Sequence, residues 1–294
     1  GTAGDDVFLV DDTGDRITEA ADAGFDRVET TLEGYTLAGH IEQLIRRGAA
    51  DFIGNGNALA NSVIGGAGSD TLGGLDGNDD IAGNSGDDWL EGSNGEDLLW
   101  GQSGADTLLG GWQSDTLAGG TGADRLIGDQ EWLSSRGAND RLDGGDDADL
   151  LIGDATNIYG SGKGGNDRLT GGAGDDILIG DGDAMTDSAR GGADTLEGGE
   201  GNDWLYGDGR ESTATVAGGN DKLYGGDGPD HLIGGGGNDL LAGGAGGGWF
   251  VFAPGSGADE ISDFAPGADH IDLSAFDIAY EQLGFAASAE GVRI

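Results

Sequence analysis

The 294-residue sequence has no cysteine, three prolines, one methionine and only 13 Lys plus Arg. Without cysteine a disulfide framework is excluded. Zinc would have to be held by His40, His231 and His270, which stand far apart in the chain, and it is set aside. Against the few basic residues stand 56 Asp plus Glu, for a formal net charge of −43. Such a field repels nucleic-acid phosphates and anionic lipid surfaces and favours cations as partners. No run of about 20 apolar residues is present to span a bilayer, so no transmembrane segment is expected. His-Glu-x-x-His, Gly-x-Ser-x-Gly and P-loop patterns are missing, and the chance Gly-x-Gly-x-x-Gly matches lack a βαβ context. This stretch is therefore read as not an enzyme, with any catalytic domain placed in flanking sequence. It begins at Gly1 with neither Met nor a signal peptide, so an excised piece of a longer protein, with flanking domains, is expected.

What the chain has in quantity is glycine, 66 residues of it. Scarce proline and the lack of a Gly-x-y period set collagen aside, and a nine-residue period takes its place. The unit reads Gly-Gly-x-Gly-x-Asp-x-Leu-x, unbroken at Gly65-Gly-Ala-Gly-Ser-Asp-Thr-Leu-Gly73 and at Gly171-Gly-Ala-Gly-Asp-Asp-Ile-Leu-Ile179. Its first six residues make a turn in which glycines permit positive φ and leave carbonyls uncovered. Its last three make a short strand whose central Leu points inward. Two units complete one coil, so the fold class is all-β: a parallel β-roll (β-solenoid, two short-stranded parallel sheets) with N- and C-terminal caps.

Residues 1–64 read as a degenerate β-roll cap. Gly1 to Leu9 keeps the spacing with Asp6 and Phe8, and Asp-x-apolar echoes follow at Asp15/Ile17, Asp26/Val28 and Asp51/Ile53. Gly56 to Ile64 is in register but carries Asn61 where Asp is expected. Phe8, Tyr35, Leu37, Ile41, Leu44 and Phe52 are expected to bury the open end of the solenoid without metal. Ile41 to Arg47 suits a helical turn, and Thr36 to Ile45 suits a strand about as well. Residues 65–248 form the repeat block, followed by a C-terminal cap over 249–294. After Ile127 the period becomes 27, one plain nonapeptide plus one with nine extra residues. The extras are inserted loops (128–140, 153–167, 180–194, 207–221), the first of them two residues shorter, that open with Asp129, Asp154, Asp181 and Asp208. Because consecutive units alternate between the two edges, insertions in every second unit emerge from one edge and stack as a row.

The nonapeptide resembles the RTX, haemolysin-type calcium-binding repeat over nearly the whole chain. The closing segment, with Ile261-Ser-Asp-Phe264 and Asp269-His-Ile-Asp-Leu-Ser274, is similar to the region that ends repeat blocks in serralysin-type proteases and alginate epimerases. The resemblance implies a secreted calcium-binding module that leaves Gram-negative bacteria unfolded through a type I secretion channel and folds in millimolar external calcium. Ca²⁺ takes about six to eight hard oxygens and accepts carbonyls as readily as carboxylates. One turn supplies half a site and the turn one coil away supplies the other half. Candidate metal ligands on one edge are Asp79, Asp97, Asp115, Asp140, Asp167, Asp194, Asp221 and Asp239. On the other they are Asp70, Asp88, Asp106, Asp124, Asp149, Asp176, Asp203 and Asp230. Seven gaps on each edge predict roughly fourteen Ca²⁺ ions, which would bring the net charge to about −15. Without metal the chain is expected to be largely disordered, because one Leu or Ile per nine residues cannot offset the backbone entropy.

Ligation is expected to stop at Gly248, which replaces the aspartate of its unit. Asp87, Asp146 and Asp175 read as solvated charge, and His231, at an outward seventh position, as packed surface rather than a ligand. Asp129, Asp154, Asp181 and Asp208 suit two roles, Asx-turn capping and additional calcium ligation. The loop row, with Trp132, Tyr159 and Met185, allows an alternative function as an adhesive or carbohydrate-binding surface for a glycan or cell-surface ligand. Apolar seventh and ninth positions on one outer face, among them Trp204 and Tyr206, are expected to be covered by the loops or, as the main cover, by the tail with Phe264, Leu273, Phe276, Leu283 and Phe285, the alternative being a partner or neighbouring domain.

Overall fold

The computed structural model describes residues 4–21, 24–212, 216–276, 286–288 and 291–293. The chain divides into two compact units, Gly1–Gln130 and Glu131–Ile294. Both are parallel β-rolls, in which a strand of the repeat pairs with the strand one coil away rather than with its neighbour in sequence. In the first unit Leu98–Ser103 pairs with Asp80–Ser85 on one side and Thr116–Thr121 on the other, with Leu99 opposite Ile81 and Leu117. The facing sheet runs through Thr71–Asp76, Trp89–Asn94, Thr107–Trp112 and Arg125–Ile127, with Leu108 opposite Leu90 and Leu126. Because the side-chain period is two, one register places every eighth residue of the unit inside. Leu72, Ile81, Leu90, Leu99, Leu108, Leu117 and Leu126 are accordingly all buried.

The turns keep positive φ at the second position even where glycine is replaced. Leu75, Asn84, Ser93 and Gln102 stand at φ of 84, 79, 81 and 78°, where Gly111 and Gly120 stand at 119 and 116°. A left-handed non-glycine residue costs about 1–2 kcal/mol, so four side chains are held there against their own preference by the stack of coils.

The start of the chain follows the roll more closely than its sequence does. Val7–Val10, Arg27–Thr30, Gln43–Arg46 and Ser62–Ile64 pair in parallel, and the stretch read as a helical turn holds the strand Gln43–Arg46 instead. Leu37, Ile41, Leu44 and Phe52 are buried, whereas Phe8 and Tyr35 are half-buried. The echo at Asp51/Ile53 is displaced by one residue. Phe52 points inward and Ile53 is 57% exposed, since a slip of one position exchanges the two faces of a strand.

In the second unit the repeat of 27 builds a third sheet. Trp132–Leu133, Asn157–Ile158, Ala184–Met185 and Glu211–Ser212, one from each loop, pair in parallel and in register. Leu133, Ala155, Ile158, Met185 and Ala189 form a small apolar core beneath them. The loops therefore stack as expected, but as a hydrogen-bonded sheet with its own interior. The closing segment extends the main sheets: Glu260–Ile261 pairs with Leu240–Ala245, and His270–Asp272 pairs with Trp249–Val251.

Candidate metal centres

The sixteen sixth-position aspartates are all buried, none more than 3% exposed. Within each unit the backbone brings them into columns joined by one recurring bond, in which the N–H of one aspartate donates to Oδ1 of the aspartate one coil later. Asp70 bonds Asp88 at 2.7 Å, Asp79 bonds Asp97 at 2.8 Å, and Asp88 bonds Asp106 at 2.8 Å. In the second unit the same bond spans 27 residues, from Asp140 to Asp167 at 2.7 Å, Asp149 to Asp176 at 2.9 Å and Asp167 to Asp194 at 2.7 Å.

That bond uses one carboxylate oxygen and leaves the other. Oδ2 of Asp79, Asp88, Asp97, Asp106, Asp167, Asp176, Asp194, Asp203, Asp221, Asp230 and Asp239 is buried without a hydrogen-bond partner, as is Oδ1 of Asp70. Each such Oδ2 faces a space kept open by a glycine. A Cβ on Gly74, Gly92 or Gly101 would meet the spare oxygen of Asp79, Asp97 or Asp106. The same Cβ would meet the carbonyl of Gly92, Gly110 or Gly119 in the following coil, at 2.9, 2.6 and 2.7 Å. Gly171 and Gly225 stand in the same way between Asp176 or Asp230 and the carbonyls of Gly198 or Gly243, at 2.6 and 2.7 Å. A carboxylate oxygen converging with carbonyls, with no nitrogen or sulfur donor, is the donor set of a hard cation such as Ca²⁺. A buried, unpartnered charge is costly, so the geometry and the donor chemistry fit that group.

Burial is the main cause of the raised pKa values along the columns. It lifts Asp79, Asp88 and Asp239 to about 7, and Asp97, Asp176 and Asp230 to about 6. Neighbouring carboxylates add to it where the columns are most crowded, with Asp194 at about 8 and Asp221 at about 9.

Column neighbours and the loop aspartates share in the crowding: Asp194, then Asp208, raise Asp221, and Asp208 raises Asp194. Asp154, Asp181 and Asp208 are buried, and each accepts the N–H of the glycine that closes its loop, Gly165 at 2.7 Å, Gly192 at 2.6 Å and Gly219 at 2.8 Å. Oδ2 of Asp181, by contrast, is buried with no partner. It lies with Oδ1 of Asp208 around the space a Cβ on Gly191 would fill. Burial, then the charges of Asp194 and Asp208, hold Asp181 well above the usual carboxylate range. Asp208 has both oxygens bonded, the second to the Gly236 N–H at 2.6 Å. Asp87, Asp146 and Asp175 are exposed, as read from the sequence.

The columns end differently from the sequence expectation. Before Asp70 stands Phe52, whose carbonyl accepts the Thr71 N–H at 2.8 Å just as the Asp70 carbonyl accepts that of Trp89. The guanidinium of Arg46 lies 5.5 Å from the Phe52 ring centroid. After Asp239 the column continues, for the Asp239 N–H donates to Asp259 Oδ1 at 3.0 Å. Gly248, where ligation was expected to stop, donates its N–H to Asp269 Oδ1 at 3.0 Å. Both added carboxylates were missed because their spacing is 20 and 21 residues rather than 18. The signal that finds them is Asp-x-Ile, at Asp259/Ile261 and Asp269/Ile271.

On the outer face of the second unit Trp204, His231, Trp249 and His270 stack in a row, with ring centroids 4.0, 5.8 and 4.5 Å apart and interplanar angles of 2, 12 and 8°. His231 is thus packed surface, and burial lowers its pKa. The expected cover of the tail is not found over Trp204, which stays 41% exposed, while Tyr206 is half-buried. Neighbouring rings shield one another instead, and Leu283 and Phe285 lie outside the described residues. In the loop row Trp132 is 62% and Tyr159 42% exposed, their rings 6.4 Å apart edge to face, whereas Met185 is buried in the loop core.

A parallel roll whose turns carry stacked carboxylates with spare buried oxygens is a solenoid made for cations. The family model of the RTX calcium-binding nonapeptide repeat matches residues 55–90, 82–117, 109–131, 129–157, 160–184, 188–209 and 216–249, more than half of the chain, and the chain belongs to that family. No curated protein matches the chain. RTX repeats bind Ca²⁺ and are typical of extracellular proteins exported by type I secretion. Among the described residues no helix is long and apolar enough to cross a membrane.

Proposed function

We propose that this chain is a secreted, non-catalytic calcium-binding module of a longer protein, exported unfolded through a type I channel and folded outside by Ca²⁺. The observation that carries the reading is the spare buried oxygen on one aspartate after another, which at Asp79, Asp97, Asp106, Asp176 and Asp230 shares a glycine-lined space with a glycine carbonyl of the next coil. The sixteen sixth-position aspartates would hold the ions, with Asp259 adding a carboxylate beyond Asp239. Asp181 divides its oxygens as they do, one accepting an N–H and one left over. It therefore joins the ligand set, while Asp208 serves chiefly to close its loop. Low calcium inside the cell keeps such a chain extended, and millimolar calcium outside folds it, by mass action on the folded state.

Native mass spectrometry of the calcium-loaded chain tests the reading by counting ions. Ten or more are expected, near the roughly fourteen of the gap count, with at least one fewer in Asp181→Asn. A content below about five would overturn the module reading, and an unchanged count in the variant would leave Asp181 a turn cap.

A second reading, a surface for a glycan or cell-surface ligand, is favoured by the exposed Trp132–Tyr159 pair on the loop sheet. Aromatic rings present flat apolar faces of the kind a sugar ring stacks on. Glycan-array binding that is lost in Trp132→Ala is its expected result; no binding to any glycan would sink it.

A further inference from the structure

The first coils hold a cluster of carboxylates outside the residues matched by the repeat family. One oxygen each of Asp6, Glu19 and Asp26 lie within 4.8 Å of one another. Only Gly-x-Asp of the repeat survives here, at Gly4-Asp5-Asp6 and Gly24-Phe25-Asp26, yet the backbone repeats the ladder. The Asp6 N–H donates to Asp26 Oδ1 at 2.8 Å, as Asp79 does to Asp97. The Arg27 N–H donates to the Asp6 carbonyl at 3.0 Å, as Leu98 does to Asp79 at 2.8 Å. Gly24, at φ 148°, lies so close to Gly4 that a Cβ would strike its backbone at 2.5 Å, the same close stacking of turns as at Gly77 and Gly95.

Asp26 is fully buried. Its N–H donates to Glu42 Oε2 at 2.7 Å and its Oδ1 is taken by Asp6, but Oδ2 is buried with no partner. The third carboxylate comes from the excursion between Val10 and Asp26. Glu19 reaches back to the turns while one of its oxygens accepts the Ala20 N–H at 2.9 Å. Three carboxylates bring hard oxygen donors to one point, and the buried Asp26 oxygen that has no hydrogen-bond partner is costly without a cation.

We propose that Asp6, Glu19 and Asp26 form an additional divalent-cation site, of Ca²⁺ type, that pins the first coil to the second. The cap expected to close the roll by apolar packing alone is then metal-bound as well. Glu19 adds a side-chain oxygen to this turn pair, where the repeat turns place glycine carbonyls beside the aspartates.

Crystals of the whole chain grown with Tb³⁺ in place of Ca²⁺ test this by anomalous scattering. A peak is expected about 2.3–2.6 Å from oxygens of all three residues, together with peaks in the repeat turns. Glu19 stands outside the ladder, so Glu19→Gln is expected to fold while losing the cap peak and keeping the others. In calcium solution the same variant should exchange its Asp6 and Arg27 amide hydrogens at least about tenfold faster than the parent chain, with Asp97 unchanged. Filled turns beside an empty cap overturn this site alone, as does unaltered exchange in the variant. An occupied cap beside empty turns would uphold it and overturn the reading of the repeats.

Discussion

In EGTA at pH 8 the chain is expected to lose most of its far-UV β signal, and Ca²⁺ in the high-micromolar to millimolar range should restore it cooperatively. The sixteen column aspartates are buried, and at this pH an unfolded chain carries all of them ionised in water. Folding without metal must either bury those charges unpaired or protonate them. The sign follows from the folded pKa values, which lie about 6 for Asp97, Asp176 and Asp230, about 7 for Asp79, Asp88 and Asp239, about 8 for Asp194 and about 9 for Asp221. All are raised above the ordinary carboxylate value, so protons stabilise the metal-free roll. That contribution is full below about pH 4 and is lost as the pH climbs through 6 to 9. Acidifying the EGTA sample from pH 8 to 5 should therefore recover part of the β signal. In calcium the same drop should raise the Ca²⁺ midpoint, because protons compete for the oxygens. A chain fully folded in EGTA at pH 8 would sink the proposal of calcium-driven folding.

Asp176→Ala should damage the roll more than Asp70→Ala. Asp176 lies inside its column: Oδ1 accepts the Asp149 N–H at 2.9 Å, its own N–H donates to Asp203 at 2.9 Å, and Oδ2 is spare. Truncation leaves a buried N–H without an acceptor and opens the gaps on both sides, a loss of about 2–4 kcal/mol. Asp70 is a true end, since Phe52 precedes it, and one of its oxygens accepts only the nearby Gly66 N–H at 2.6 Å. Its loss should cost about 1–2 kcal/mol. Asp239 looked like an end in the sequence, but the bond to Asp259 makes it an interior position. Calcium titrations followed by circular dichroism should place the midpoint of Asp176→Ala several-fold above that of Asp70→Ala. Equal midpoints would argue against ions shared between successive coils.

The sequence by itself determined the coil. In a solenoid the partner of a residue lies a constant distance along the chain, 18 or 27 residues here, so a period read from glycine, Asp and Leu is already a contact map. That is why each inward Leu or Ile from Leu72 to Leu126 and all sixteen aspartates could be placed by counting residues alone, and why the loops were legible as a row. Only the tertiary structure decided what happens where the period fails. Spacings of 20 and 21 hid Asp259 and Asp269, and a one-residue slip exchanged Phe52 with Ile53. The loops gained a sheet and core of their own from Leu133, Ile158 and Met185, whose contacts follow from packing between insertions and not from the repeat. Among the described residues the outer aromatic row is shielded by its own cross-strand stacking. Asp6, Glu19 and Asp26 converge although they are 13 and 7 residues apart, because a chain excursion of no fixed period brings Glu19 back to the turns.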